Sequence, residues 1–390
     1  MRLTGTSAVG VRLPIISPGD DLVSIVTDHV LSVLESDGSK LSQNDIIAVT
    51  EAIVAKAEGN FASLSDVAAD VNAKFGDAEV GLVYPILSRN RFLNILKGIA
   101  KGAKKVHILL SYPHDEVGNP VMNIDKLDDV VDKLQGRMVS DAEFYAVAGE
   151  YKHTFTGMDY VELYKSVGDN VTVHFSNDPR DILKLTKNVL VAEIHTRNRT
   201  KARLEKAGAE KVFTLSDILN QSINGSGFNS AYGVLGSNLS TDDTLKLFPN
   251  AAPDFVKQVQ DCIFDKTGTR PEVMVYGDGA FKDPVCGIWE LADPVVSPGH
   301  TERLGQQPME IKIKLVADAV FGDLRGEEKR KAVTKAIQEK RNTPEAYREG
   351  TTPRVYADLV GSLCDLMGGS GDKGTPVILV RGYFDDYASE

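Results

Sequence analysis

Residues 356–382 read YADLVGSLCDLMGGSGDKGTPVILVRG, and three kinds of local order follow one another in them. Tyr356, Leu359, Val360, Leu363 and Met367 recur at helical spacing, so the stretch from Arg354 to Met367 is expected to form a helix with one apolar face. Gly368, Gly369, Gly371 and Gly374 then break it. Pro376 to Gly382 is a short apolar run of the kind found in strands buried on both faces.

The same alternation runs outward through the chain. Asp45–Thr50 (DIIAVT), Lys105–Ser111 (KVHILLS), Asn188–Ile194 (NVLVAEI) and Glu272–Gly277 (EVMVYG) read as buried strands. Asp20–Glu35, Ser88–Ala103 and Glu327–Arg341 read as helices. Strands alternating with helices define an α/β class, here an α+β mixed sheet. The section from Asn123 to Gly268 is richer in turn signals, and INGSGFNSAYGVLGSNLSTDD (223–243) fits neither period. In it Ser240 is expected to cap a helix starting near Thr241, with Asp243 in the first turn. Asp20 is expected to cap the first helix of the chain.

Composition narrows the function. The 390 residues carry 44 basic and 55 acidic side chains, a net charge of −11. Such a chain lacks the basic surface that displaces counterions from nucleic acid. The cationic run Arg197–Lys206 reads as a solvated helix. No apolar run reaches membrane-spanning length, and no secretory leader is read at the start, so a cytoplasmic setting is expected. Cys262, Cys286 and Cys364 are odd in number and far apart, which fits neither a disulfide framework nor a zinc pattern.

Four places carry candidate chemistry. The glycine loop lacks the GxxxxGK[ST] pattern and follows a helix C-terminus, where the macrodipole disfavours anions. Phosphate binding there depends on backbone N–H groups and Lys373, and a plain helix stop is the alternative. Asp115 in LLSYPHDEVGNP and Asp278 in VMVYGDGAF each follow an expected strand, where carboxylates commonly line ligand crevices or hold oxygen-seeking cations. Ordinary turns also begin with Asp. In the amino-terminal part, LPIISPGDD (13–21) ends in a Pro-Gly turn, and Lys56, soon after the DIIAVT strand, can reach a phosphate or simply be a solvated lysine. No Ser-His-Asp set, GxSxG elbow or GxGxxG fingerprint is present.

Taken together, LPIISPGDD, NDIIAVTEAIVAKAEG (44–59) and the 356–382 string resemble the coenzyme F(420)-0:L-glutamate ligase family, the γ-glutamyl ligases of a deazaflavin cofactor. The resemblance covers roughly the first 125 and last 120 residues. It implies a two-domain fold, with residues 1–125 and 268–390 forming a discontinuous ligase core and 126–267 an inserted or expanded subdomain. It implies a GTP-dependent ligase using magnesium or manganese, with L-glutamate and a carboxylate acceptor (F(420)-0 or a relative such as a folate) as substrates, working as a homodimer. By position it assigns nucleotide contacts to Leu13, Pro14, Ile15, Ile16, Thr50, Glu51, Lys56 and Asn119. It assigns the same role to Met367, Gly368, Gly369, Ser370, Gly371, Asp372, Lys373, Gly374 and Thr375. It assigns metal binding to Asp115 and Asp278, with Gly279 standing where the family usually has threonine. No general base is assigned; His114 and Glu116 are near Asp115 in sequence only. The stretch around Asn224–Asn238 is expected to border the cleft as a mobile lid over the acceptor, with a surface insertion serving dimer packing as the alternative.

Overall fold

In the computed structural model, residues 5–89, 91–115, 118–154, 156–277, 280–282, 289–291, 296–308, 313–340, 354–368 and 374–389 are described. The chain divides into two compact units. One comprises Met1–Val54, Ala251–Gly279 and Pro294–Glu390, and the other Ala55–Asn250 with Ala280–Asp293. The breaks fall near 54 and 250, whereas the division read from sequence placed them near 125 and 268.

The first unit is built on a five-stranded mixed sheet, in the order Ser7–Val11, Val377–Arg381, Ile46–Thr50, Glu272–Gly277, Val296–His300. Ile46–Thr50 runs parallel to Glu272–Gly277 and antiparallel to Val377–Arg381. Ile46, Ile47, Ala48 and Val49 are all fully buried, so both faces of this central strand are covered. That is why its sequence is a continuous apolar run rather than an alternating one. The Tyr356–Gly368 helix lays Ala357, Val360 and Cys364 against Ile46, Ala48, Met274, Ile378 and Val380. Ala252–Thr267 packs against the Glu272–Gly277 and Val296–His300 strands and against the Leu22–Ser36 helix. That last helix is capped by Asp21, not Asp20: Asp21 accepts from Ser24 N at 3.1 Å, while Asp20 closes the Pro-Gly turn by accepting from Ser17 N at 2.6 Å.

The second unit carries a six-stranded sheet. Its five parallel strands lie in the order Val171–Phe175, Lys105–Leu110, Glu79–Val83, Asn188–Val191, Lys211–Thr214, with Val139–Ser140 antiparallel on the outer edge. Counted along the chain, the parallel strands stand 3-2-1-4-5, the doubly wound order. The order reverses between Glu79–Val83 and Asn188–Val191, which opens a crevice at their carboxyl ends. Alternate residues serve the two faces: Val80, Leu82, Ile108 and Val173 join the larger core, and Val83, Leu109, Val189 and Val191 the smaller. A Cβ on Gly81 would lie 2.4 Å from Ile182 Cγ1, so only glycine lets the Pro179–Lys184 turn close on the sheet here.

Two expectations for the middle of the chain are corrected by this unit. Asn238–Thr241 and Thr244–Lys246 form a hairpin that pairs with Phe61–Ser63, so Ser240 caps no helix. The Ser-Thr-Asp-Asp string suits a hairpin turn as well as a cap. The 224–238 stretch is anchored rather than lid-like. Asn60 donates to Phe228 O (2.9 Å) and Phe248 O (2.6 Å) and accepts from Phe228 N (2.8 Å). Asn229 donates to Phe248 O and Pro249 O, and Val234 and Ser237 are fully buried.

Candidate functional site

In the first unit, sheet register gathers distant segments at one end. Val11 pairs with Val377, Val377 with Val49, and Thr50 with Tyr276. The chain therefore leaves the Ser7–Val11, Ile46–Thr50 and Glu272–Gly277 strands, and enters Val377–Arg381, at the same sheet end. Thr50 and Gly374–Thr375 meet there, and Leu13–Ile16 follow the strand that leaves at this end. Thr50 N donates to Pro376 O at 2.9 Å, and Thr375 packs over Gly10, whose added Cβ would lie 3.0 Å from its side chain. Ile16 is buried while its neighbour Ile15 is 89% exposed. Glu51 is buried at the start of the Glu51–Glu58 helix. Gly368 closes the far side: a Cβ there would lie 2.8 Å from Tyr276 Oη and 3.6 Å from Thr375 O. Burial, reinforced by the negative charges of Asp365 and Glu51, holds the Tyr276 phenol far above its ordinary range, so it remains a neutral donor. Burial likewise pushes up the Cys364 thiol, which excludes it as a ready nucleophile.

The second unit places a cavity of about 240 Å³ at the carboxyl ends of its parallel strands. Tyr84, Pro85 and Leu87 enter it after the Glu79–Val83 strand, and Ser111 and Asp115 after Lys105–Leu110. Asn177 follows Val171–Phe175, and Glu193, His195 and Thr196 follow Asn188–Val191. The loops are fixed to one another. Asn177 accepts from Tyr112 N at 3.0 Å and donates to Tyr112 O at 2.7 Å, joining two strand ends. Tyr151 donates to Ser111 O at 3.1 Å from beneath, where it packs on Phe175 and Phe144. Tyr84 holds a left-handed backbone (φ 51°) and donates to Ser176 O at 3.0 Å. Such a conformation in a bulky residue costs roughly 1–3 kcal/mol and is retained where the surroundings fix it. Burial, with the charges of Asp178 and Glu193 nearby, raises the Tyr84 phenol far above its ordinary range.

Two carboxylates line this cavity in different states. Asp115 is buried and accepts from Asn119 N (2.7 Å) and Asn119 Nδ2 (3.0 Å). His153 Nε2 lies 3.4 Å from Asp115 Oδ2. Thr156 N donates to His153 Nδ1, which leaves Nε2 to carry the proton toward Asp115. Glu193 is 7% exposed; its Oε2 accepts from Thr196 Oγ1 at 2.8 Å, and its Oε1 is buried without a hydrogen-bond partner.

Of the residues assigned from sequence, Leu13–Ile16, Thr50, Glu51, Met367, Gly368, Gly374 and Thr375 lie at the sheet end of the first unit. Lys56, Asp115 and Asn119 belong to the second unit, where Lys56 sits half-buried in the last turn of the Glu51–Glu58 helix. Gly369–Lys373, Asp278, Gly279 and Glu116 lie outside the described residues. His114 pairs with Pro120 by a backbone bridge and does not line the cavity. Among the described residues, no group of three or more His, Cys, Asp or Glu side chains is placed to hold a metal. Asp115 has the oxygen chemistry that magnesium or manganese prefers, and its assigned companion is Asp278.

Sequence reasoning missed Glu193, His195, His153 and Asn177. The strand-end rule that singled out Asp115 applies equally to Glu193, two residues beyond the Asn188–Val191 strand. Among the described residues, no helix is long and apolar enough to cross a membrane.

Residues 10–382 match the family model described as F420-0:Gamma-glutamyl ligase. A 64-residue stretch is 39% identical to the coenzyme F420:L-glutamate ligase of Methanothermobacter thermautotrophicus, covering 16% of this chain and 24% of that protein. The chain thus spans about a quarter of the length of that curated relative.

Proposed function

The chain belongs to the F420-0:γ-glutamyl ligase family, and from that membership we propose that it is a GTP-dependent γ-glutamyl ligase. In this reading it activates an acceptor carboxylate as an acyl phosphate and joins it to L-glutamate. The observation that carries the reading is the meeting of Val11, Thr50, Gly368 and Gly374–Thr375 at one end of the five-stranded sheet, with Leu13–Ile16 following Val11 along the chain.

The chemistry explains why such a site is needed. A carboxylate is a poor electrophile because its leaving group would be an oxide. Attack of a carboxylate oxygen on the γ-phosphorus of GTP releases GDP and leaves an acyl phosphate. Attack of the glutamate nitrogen on the acyl carbon then forms the amide and expels inorganic phosphate. Both steps place negative charge on phosphoryl oxygens, which backbone N–H groups and a cation must offset. The main chain around Gly368–Thr375 and Lys56 are the groups proposed for that role. Asp115 and Asp278 would hold a magnesium or manganese ion, which neutralises triphosphate charge when bound. A homodimer is part of the same proposal.

The test is mass spectrometry of products after incubation with GTP, magnesium, L-glutamate and either F(420)-0 or a folate. A product heavier by one or more glutamyl residues, formed with one phosphate released per glutamyl residue added, is expected in one of the two arms. Phosphate release independent of glutamate and of both acceptors would refute the reading.

A further inference from the structure

The Arg197–Lys206 helix of the second unit carries a charge arrangement that its own stability does not ask for. In a chain of net charge −11 it gathers Arg197, Arg199, Lys201, Arg203 and Lys206, with Glu205 as its one acid. Thr200 and Leu204 are its buried stripe, and the helix packs against the Asn188–Val191 and Lys211–Thr214 strands. Arg199 and Lys206 are exposed, while Arg197, Lys201 and Arg203 are half-buried. Arg197 and Lys201 stand four residues apart, as do Arg199 and Arg203, and Arg203 and Lys206 stand three apart. Like charges at these spacings repel and destabilise a helix. The Gly326–Lys340 helix shows the ordinary alternative, in which Glu327 pairs with Arg330 three residues on.

Neighbouring acids relieve only part of this repulsion. Arg203 Nη2 lies 3.4 Å from Asp178 Oδ1, and Lys201 Nζ lies 3.7 Å from Asp217 Oδ2. Arg197 turns back to donate to Ile194 O. Arg199 and Lys206 make no ion pair among the described residues. With Arg203 between them they form a row, about 5–6 Å from one Cβ to the next. The row starts beside the crevice of the sheet. Thr196, the residue before the helix, lines the cavity at the switch point together with His195. From there the helix extends for about 15 Å.

The ligase chemistry supplies a ligand that matches such a row. Joining an acceptor carboxylate to the nitrogen of glutamate consumes one carboxylate and leaves two, so each round adds one negative charge. The new γ-carboxylate is itself an acceptor. Repeated rounds give a γ-linked chain with an α-carboxylate on every residue. We infer that Arg199, Arg203 and Lys206 bind the γ-glutamyl tail of an acceptor that already carries glutamate. The inference rests on the ligase reading for the identity of this polyanion. Nucleic acid is the other common ligand of basic helices. The row is confined to one short helix and is flanked by Asp178, Asp217 and Glu205, which favours a short polycarboxylate over a phosphate backbone.

The test uses tri-γ-glutamate as the probe and reads binding by calorimetry, without ligation. The unaltered protein should bind it, and raising the ionic strength from about 0.01 to 0.15 M should weaken the binding severalfold. Arg199→Glu combined with Lys206→Glu should weaken it at least tenfold. The melting temperature of that variant should hold or rise, because the change at 199 turns a repelling pair with Arg203 into an attracting one. Arg199→Gln with Lys206→Gln should give a smaller loss of the same kind. Binding unchanged in the charge-reversed variant, or absent from the unaltered protein, overturns the inference and leaves the ligase reading standing wherever glutamylated product forms. A short single-stranded RNA that binds more tightly than tri-γ-glutamate through the same two residues also overturns it. Where no glutamylated product forms, tri-γ-glutamate binding that is lost in the charge-reversed variant supports the row, and the ligase reading alone fails.

Discussion

Asn60→Ala would test whether the 224–238 stretch is a structural strap. The side chain is 4% exposed and makes three hydrogen bonds, two to Phe228 and one to Phe248 O. Phe248 O retains Asn229 Nδ2 at 3.2 Å after the change, so the groups left short are the N–H and C=O of Phe228. Three bonds at about 1 kcal/mol each suggest a loss of roughly 3 kcal/mol, with the stranded Phe228 groups at the upper end of the range. For a cooperative unit of this size that is a melting shift of about 6–12 °C. Urea unfolding followed by circular dichroism measures the loss, and hydrogen exchange at Phe228 and Gly227, whose N–H donates to Phe61 O, locates it. A loss below about 1 kcal/mol with unchanged protection at Phe228 would show that the strap is held by something other than Asn60.

Two further expectations follow from local geometry. Gly368→Ala should raise the KM for GTP at least tenfold, because its Cβ meets Tyr276 Oη at 2.8 Å; adding Tyr276→Phe should restore it, since the ring carbon Cζ lies 4.0 Å away, and a double variant no better than the single one would reject the clash. The Glu143 carboxyl is held down to about 2 by the Ser140 backbone N–H, by Arg137 and by the Ser140 hydroxyl, and Asp178 to about 2 by Arg180. A depressed carboxyl contributes stability that is present above its unfolded value near 4 and lost as pH falls toward 2. NMR titration should show both groups ionised at pH 3, and Ser140→Ala should move the Glu143 midpoint upward; a midpoint near 4 in the unaltered protein would discard the capping account.

Sequence alone determined the elements whose cause is local. Ile46–Thr50, Lys105–Leu110, Glu272–Gly277 and Val377–Arg381 were legible as apolar runs because strands covered on both faces are built mostly from apolar side chains. The Tyr356–Gly368 helix was legible from its periodicity, and the family resemblance from ordered strings at the two chain ends. Where two neighbouring residues were equally competent, sequence could not choose. Asp20 and Asp21 both suit a cap, and the hydrogen bond to Ser17 took one of them for the turn.

Tertiary structure decided what depends on partners distant in the chain. Gly, Ser and Asn in 223–243 read as a mobile loop because their side chains carry no period; Asn60, 168 residues from Phe228, holds the stretch in place. The 3-2-1-4-5 order brings the Glu79–Val83 and Asn188–Val191 strands side by side, and only then do Tyr84 and Glu193 face one cavity. A hydrophobic pattern reports that a strand is buried but not which strand it pairs with, since backbone hydrogen bonds are alike for every sequence. The position of Glu193 in a site is thus a consequence of strand order, which packing of the whole unit selects.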